Sequence, residues 1–159
     1  MKLQINIPGI PAPGGSKRGF YIQKLKRVVI TDAGGDRTKN WRAVCAAMAR
    51  QQYTGDPLQG PLQVTFLFFM PRPKGHYGSG KNATVLKPNA PTLHTSKPDA
   101  LKLARSTEDA LTGIVWGDDA QTALLTVEKR YGTRPGCRVI VETMGHQQPD
   151  LTLADTAKE

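Results

Sequence analysis

The stretch KPDALKLARSTEDALTGIVWGDDAQ, residues 97–121, determines how this chain is interpreted. Its apolar and small residues recur at i, i+3, i+4 and i+7, which predicts an amphipathic helix over residues 98–112. The predicted buried stripe is Ala100, Leu103, Ala104, Thr107, Ala110 and Leu111. One acid, Asp99, stands at the start of this helix, and two, Asp118 and Asp119, follow its end. Carboxylates at both ends of one helix–turn–strand unit predict a Mg²⁺ site, because Mg²⁺ takes oxygen ligands.

Each of these acids also has a structural explanation. Ser96 and Asp99 have the spacing of a capping box, at a helix start where the macrodipole favours negative charge. Asp118 and Asp119 follow a glycine before a predicted strand, and GDD is ordinary turn chemistry. The spacing alone therefore leaves both a catalytic and a purely structural role open.

Leu101 is out of place on the predicted helix. At 100° per residue it points about 110° away from the centre of the buried stripe. It shares the opposite face with Arg105, Glu108 and Thr112. An isolated leucine is therefore predicted on the face that should be polar.

The rest of the chain predicts an α+β domain. A second helix is predicted over residues 38–53, where Trp41, Val44, Cys45 and Met48 recur at helical spacing. Strands are predicted at residues 2–7, 20–31 (a short irregular hairpin), 62–70, 121–131 and 137–143. Two main helices would pack on a mixed β-sheet with residues 62–70 at its centre, and the last two strands would form an antiparallel C-terminal β-hairpin.

One domain, residues 1–144, is expected from the length of 159 residues, followed by a flexible tail over 145–159. Residues 71–96 form a long loop whose only charged side chains are Arg72, Lys74, Lys81 and Lys87. A basic flexible arm over DNA is the favoured interpretation of this loop, and plain disorder is the alternative.

Charge is spread unevenly along the chain. Residues 1–98 hold 15 Lys/Arg and 3 Asp/Glu, a net +12, whereas residues 99–159 hold 7 and 10, a net −3. A basic portion beside an acidic cluster suits a metal-dependent enzyme acting on nucleic acid, although solvated surface lysines explain the charge equally well. Cys45 and Cys137 lack metal-ligand spacing and are expected to be buried thiols in a reducing compartment. No membrane span is predicted, so a cytoplasmic location is expected.

The motifs in this chain resemble those of the RusA family of phage and prophage Holliday-junction endonucleases. The family form is close to KPDxDxLxK/R, then DAL, then DDxQ, and residues 97–121 follow it except at Leu101. Weaker similarity extends to PGIPAPGGSKR near the start, to FFMPRPKG after the predicted central strand, and to the hairpin ending near Glu142.

The resemblance implies a homodimer that binds four-way junctions in a bacterial host cell and cuts two strands of like polarity. Mg²⁺ would be the cofactor, with Mn²⁺ as a substitute, and no small-molecule cofactor is implied. The catalytic residues that match the family are Asp99, Asp119, Asp118 and Arg105, and the three aspartates are also the metal ligands, with Asp119 stronger than Asp118. The expected phosphate contacts are Lys17, Arg18, Arg72, Lys74 and Lys97.

Leu101 stands where the family has the second acid of its first motif, and leucine cannot ligate a metal. This departure keeps an alternative open, in which the chain is a weakly active or inactive branched-DNA-binding protein of the same fold. A basic RNA-binding module is a third hypothesis, weakened because no aromatic RNP-like stacking motif is present.

Overall fold

The computed structural model describes residues 1–15, 17–32 and 34–145, and in this part of the chain it is an α+β fold. The α+β prediction is therefore confirmed. The main elements are β1 Lys2–Pro8, β2 Lys17–Ile22, β3 Arg27–Asp32, α1 Gly35–Gln52, β4 Leu62–Pro71, α2 Ala100–Leu111, β5 Thr122–Gly132 and β6 Gly136–Thr143. The predicted flexible tail lies outside the described residues from position 146 onward.

The main sheet has the order β1-β6-β4-β5, so the predicted central position of β4 is confirmed. Strands β1 and β6 pair antiparallel, β6 and β4 pair antiparallel, and β4 and β5 pair parallel. Every second side chain of β4 is buried, and these residues are Leu62, Val64, Phe66, Phe68 and Met70. With β6 on one side and β5 on the other, the backbone groups of β4 are paired along both edges.

The predicted pairing of the last two strands needs a correction. Strands β5 and β6 run in opposite directions and are joined by only residues 133–135, but β4 lies between them and they share no ladder. The connection between β5 and β6 passes close to Phe69 of β4 and Ile7 of β1, and glycines at its two ends leave room for this approach. A Cβ on Gly132 would lie 2.9 Å from Cβ of Phe69, and one on Gly136 would lie 2.5 Å from the carbonyl oxygen of Ile7. The predicted turn between β5 and β6 is present at residues 133–135, but the two strands are not neighbours in the sheet.

The two helices pack on the sheet and on each other. Trp41 of α1 donates a hydrogen bond through Nε1 to Oγ1 of Thr107 on α2, at 3.1 Å. The buried side of α2 is Leu103, Ala104, Ser106, Thr107 and Leu111, so Ser106 joins the predicted stripe while Ala100 and Ala110 are only half-buried. Ser106 is buried because the loop after β1 covers it, with the Gly14 amide donating to the Lys102 carbonyl at 2.9 Å.

The loop after β4 contains two short 3₁₀ turns, Lys74–His76 and Gly80–Asn82. Its end runs along the outer edge of β5, where the His94 amide donates to the Lys129 carbonyl at 3.0 Å and the Tyr131 amide donates to the Thr92 carbonyl at 2.9 Å. This end of the loop is therefore held on the sheet rather than projecting from it. Among the helices of the described ranges, none has the length and apolar character needed to cross a bilayer.

Candidate functional site

The N-terminus of α2 presents Asp99 to solvent. Asp99 is the N-cap residue, but its side chain makes no capping hydrogen bond and instead lies 3.4 Å from Nζ of Lys102. The capping box predicted between Ser96 and Asp99 is absent, since the helix begins three residues later than that motif requires. The carboxylate of Asp99 therefore does not serve the fold as a helix cap.

Leu101 lies on the exposed face of α2, with 69% of its surface accessible, as predicted. Arg105 follows one turn later and is also exposed. The loop before β2 approaches Arg105 so closely that a Cβ on Gly15 would lie 3.1 Å from Cδ of Arg105, and Gly15 has a φ of +82° that favours glycine. This contact supports the aliphatic part of the Arg105 side chain in the middle of α2.

Asp118 and Gln121 form the capping box of the short 3₁₀ turn Asp119–Gln121. Asp118 Oδ1 accepts from the Ala120 amide at 2.8 Å, while Gln121 Oε1 accepts from the amides of Gly117 and Asp118, both at 2.9 Å. The Gln121 amide group also donates to the carbonyls of Leu58 and Gly60. In the DDxQ motif, the first acid and the glutamine therefore build the turn that exposes Asp119.

Glu108 is the carboxylate that lies near Asp119. Its Oε1 accepts a hydrogen bond from Oγ1 of Thr122 at 2.8 Å, at the start of β5. Burial raises the pKa of Glu108 above its ordinary value, the Thr122 hydrogen bond partly offsets this, and the charges of Asp119 and Asp109 raise it further. The sequence pattern placed Glu108 only on the polar face of the helix, because its distance from Asp119 depends on how β5 packs beside α2.

Asp99 and Glu108 lie near opposite ends of α2, separated along the helix axis by about 14 Å at 1.5 Å per residue. No cluster of three or more His, Cys, Asp or Glu side chains with metal-binding geometry occurs within residues 1–15, 17–32 and 34–145. Glu108 is linked to the region of Asp119 through its hydrogen bond with Thr122 and through the effect of the Asp119 charge on the Glu108 pKa. That Asp99 and Asp119 share one ion stays a prediction.

Lys129 supports the turn that carries Asp99, and the sequence analysis missed it. Its Nζ donates to the carbonyl of Ser96 at 2.8 Å and to the carbonyl of Pro98 at 2.7 Å. Pro98 is the residue directly before Asp99, so this side chain of β5 fixes the backbone at the start of α2. Nothing in the sequence singles it out, because Lys129 stands between two other charged residues of the same strand, Glu128 and Arg130.

A cluster of basic and aromatic side chains surrounds Tyr131, close to Lys129. The rings of His76 and His94 contact the Tyr131 ring, with centroids 4.7 and 4.8 Å away, and the Arg72 guanidinium lies 5.4 Å from its centroid. Burial and the charge of Lys129 lower the pKa of His94. Arg72 also donates to the Pro91 carbonyl at 2.8 Å, so part of its function is to hold the loop.

The other predicted phosphate contacts are dispersed. Lys17 is exposed on β2, Lys74 is exposed in the 3₁₀ turn after β4, and Lys97 is exposed two residues before Asp99. Arg18 lies on β2, and its side chain is outside the described part of the structure. Lys97 is thus the predicted cation nearest in sequence to the candidate site on α2.

Residues 11–142 match the model of the family described as endodeoxyribonuclease RusA. The match covers most of the chain, including both helices, the central strand and the turn that carries Asp119. This chain belongs to the RusA endodeoxyribonuclease family. It is also similar to the uncharacterized protein YqaN of Bacillus subtilis (strain 168), with 25% identity over 144 residues, which is 87% of this chain and 94% of that protein. The resemblance read from the motifs is confirmed.

Proposed function

We propose that this protein is a Mg²⁺-dependent, structure-specific endodeoxyribonuclease that resolves four-way junctions during DNA recombination and repair. The observation that carries the proposal is the family match over residues 11–142, which includes the entire unit from Asp99 to Gln121. A net charge of +12 over residues 1–98 supports a polyanionic substrate. A homodimer is part of the proposal, because paired symmetric cuts across a four-way junction need two active sites.

The donor chemistry of the site fits Mg²⁺. The ion is usually bound by one or two carboxylates, with waters and substrate phosphates as the remaining ligands. Asp99 and Asp119 are the proposed ligands from the family motif, Asp118 is a weaker candidate because its carboxylate already caps a turn, and Glu108 is a further carboxylate beside Asp119. When bound, the ion would polarise a phosphoryl oxygen and lower the pKa of a coordinated water. Mn²⁺, which prefers similar oxygen ligands, is expected to substitute.

The side chains of the chain itself have separate tasks in this proposal. Arg105, which carries a permanent charge, would stabilise negative charge on the phosphate as the bond breaks. Lys97, Arg72 and Lys74, with Lys17 and Arg18 on β2, would contact phosphates of the backbone and orient the DNA. Lys129 would keep the Asp99 turn in place through its two hydrogen bonds to carbonyls.

A branched-DNA-binding protein with little or no cleavage is the second candidate function. The exposed Leu101 favours it, because the family has an acid at this position and the chain therefore has one carboxylate fewer beside the ion. The basic surface and the fold would be unaffected by this loss, so DNA binding would persist.

The test compares cleavage and binding of a synthetic four-way junction with those of a linear duplex of equal length, with Mg²⁺, with Mn²⁺ and with EDTA. Asp119→Asn is expected to abolish cleavage and to keep binding. Asp118→Asn is the matched control, because asparagine caps as well as aspartate, and it is expected to have the smaller effect. Sedimentation velocity tests the proposed homodimer.

The outcomes separate the two candidate functions. Junction cleavage that needs a divalent ion and is lost in Asp119→Asn supports the nuclease. Tight, junction-selective binding with no cleavage under any ion condition supports the binding protein. Equal affinity for junction and duplex would overturn the proposed substrate in both cases.

A further inference from the structure

The β2–β3 arm, residues 17–32, forms a two-stranded sheet of its own, separate from the main sheet. Its antiparallel register pairs Tyr21 with Val28 and Gly19 with Ile30. Because paired residues and alternate residues point to the same side of a ribbon, Tyr21, Val28 and Ile30 share one face. They are 63%, 60% and 66% exposed.

This exposure is unusual for such residues. An isolated two-stranded ribbon is marginally stable by itself, and contiguous apolar side chains on a surface mark an interaction site. The other face of the arm and its tip are also open, since Phe20 and Leu25 have more than half of their surfaces accessible. The arm therefore has an apolar surface that the rest of the described chain does not cover.

The charge of the arm indicates which partner would cover it. Residues 17–32 contain five Lys/Arg, namely Lys17, Arg18, Lys24, Lys26 and Arg27, and one acid, Asp32. The four cations with described side chains are all exposed and lie on the same arm as the apolar face. Two copies of this arm packed together would bring like charges into contact, which is unfavourable. A polyanion with flat apolar groups satisfies both features, because phosphates pair with the cations and bases stack on aromatic side chains.

Gly19 leaves space beside the tyrosine ring. It is two residues before Tyr21 on the same face, and a Cβ there would lie 3.3 Å from Cγ1 of Val28, tighter than ordinary contact. A side chain at this position would crowd Val28 and fill the surface next to the ring. With glycine, the backbone of β2 stays open next to Tyr21, so a planar group can approach the ring from that side.

We infer that the β2–β3 arm binds unstacked bases at the branch point of the DNA, with Tyr21 as the stacking residue and Lys24, Lys26 and Arg27 on the adjoining phosphates. This inference rests on the proposed function, since it assigns the selectivity for branched DNA to a particular surface. Bases in an intact duplex are stacked on each other, and exposing one costs least where pairing is already interrupted. The arm therefore favours a junction over a duplex of the same length and charge.

The experiment measures affinity for a four-way junction and for a linear duplex by fluorescence anisotropy, with 2-aminopurine at the branch point as a reporter of unstacking. Tyr21→Ala is expected to weaken junction binding by roughly 5- to 150-fold, the range for loss of one stacked base, and to abolish the 2-aminopurine signal. Its duplex affinity should change little. Tyr21→Phe, which keeps the ring, is the matched control and should retain both affinity and signal.

Lysine variants provide an independent measurement on the same arm. Lys24→Gln with Lys26→Gln is expected to weaken binding to junction and duplex alike. The effect should be equal because phosphate contacts carry no information on branching. The double variant should also reduce the slope of log affinity against log salt concentration by roughly one per lysine, because fewer counterions are released on binding.

Unchanged junction preference and unchanged 2-aminopurine signal in Tyr21→Ala would overturn the inference while the proposed function stands. A wild-type protein without junction preference would instead overturn the proposed function. If Tyr21→Ala converts a dimer to a monomer in sedimentation velocity, the arm is an interface between two copies, and the inference is also overturned.

Discussion

Replacing Leu101 with aspartate should restore a carboxylate to the N-terminal turn of α2. Residue 101 is the second residue of the helix after the Asp99 cap, and its side chain points to solvent on the face that also carries Arg105. If the Mg²⁺ ion of the proposed reaction lies beside Asp99, the new carboxylate reaches it from two residues further along the same turn. The substitution should therefore increase cleavage without altering the fold.

The stability of Leu101→Asp should be close to that of the wild type. Because Leu101 is 69% exposed, little packing is lost. Aspartate has a lower helix propensity than leucine, by up to about 0.7 kcal/mol. An acid in the first turn gains about 0.3–1 kcal/mol from the helix dipole, and an acid four residues before Arg105 gains about 0.2–0.5 kcal/mol. These terms nearly cancel, so a change within about 0.5 kcal/mol is expected.

The effect of Leu101→Asp on metal binding should be much larger. Residues that merely support a metal ligand contribute about 10- to 100-fold to metal affinity. A new direct ligand should therefore lower the Mg²⁺ concentration at half-maximal cleavage by at least about tenfold, equivalent to about 1.4 kcal/mol.

The assay titrates Mg²⁺ against the initial rate of four-way junction cleavage for wild type, Leu101→Asp and Leu101→Asn, with urea unfolding of each protein as the stability control. The asparagine variant removes the apolar group without adding a charge. Equal Mg²⁺ midpoints and rates in wild type and Leu101→Asp would refute the reasoning about position 101. An equal improvement in Leu101→Asn would show that loss of the leucine, rather than metal ligation, is responsible.

Three further predictions follow from individual contacts. Burial and neighbouring carboxylates raise the pKa of Glu108, so its carboxyl group binds a proton more tightly in the folded state than in the unfolded state. The free energy of unfolding of the wild type should therefore fall as pH rises from the ordinary value of 4.5 through the raised pKa. Urea unfolding of Glu108→Gln should lack this pH-dependent part of the stability. Lys129→Met should lower the free energy of unfolding in urea by about 1–2 kcal/mol, because two hydrogen bonds to carbonyls are lost. Because the turn before Asp99 is released, the cleavage rate should fall by more than this loss of stability alone would cause. Lys129→Arg should recover part of the stability and part of the cleavage rate. Burial raises the pKa of Cys45 to about 12 and also raises that of Cys137, so both thiols should react with DTNB at about pH 8 only after unfolding; rapid reaction of the native protein would contradict their burial.

The elements of the fold were predictable where hydrophobic periodicity is strong. Strand β4 and helix α2 each place buried residues at the spacing their secondary structure requires, and both were located to within two residues at each end. The order of the strands was not predictable in the same way. The short glycine-rich connection between β5 and β6 is typical of a hairpin, and nothing local indicates that β4 would be inserted between them.

The candidate site was predictable in its composition and less so in its geometry. The motif identified Asp99, Asp118 and Asp119, but the spacing could not show that Asp118 caps a turn or that Glu108 lies near Asp119. Those relations arise when β5 pairs with β4 and packs beside α2. Lys129 was missed for the same reason, because its contact with the Asp99 turn joins residues 31 positions apart.

The pairing of β1 with β6 has a consequence for synthesis of the protein on the ribosome. Lys2 pairs with Glu142 and Pro8 with Gly136, so β1 cannot pair in this sheet before β6 has been synthesised. Until residue 143 has left the exit tunnel, β1 has no partner within this sheet, and a nascent chain with an unpaired edge is prone to wrong associations. The ladder between β1 and β6 thus postpones completion of this sheet until β6 has been synthesised.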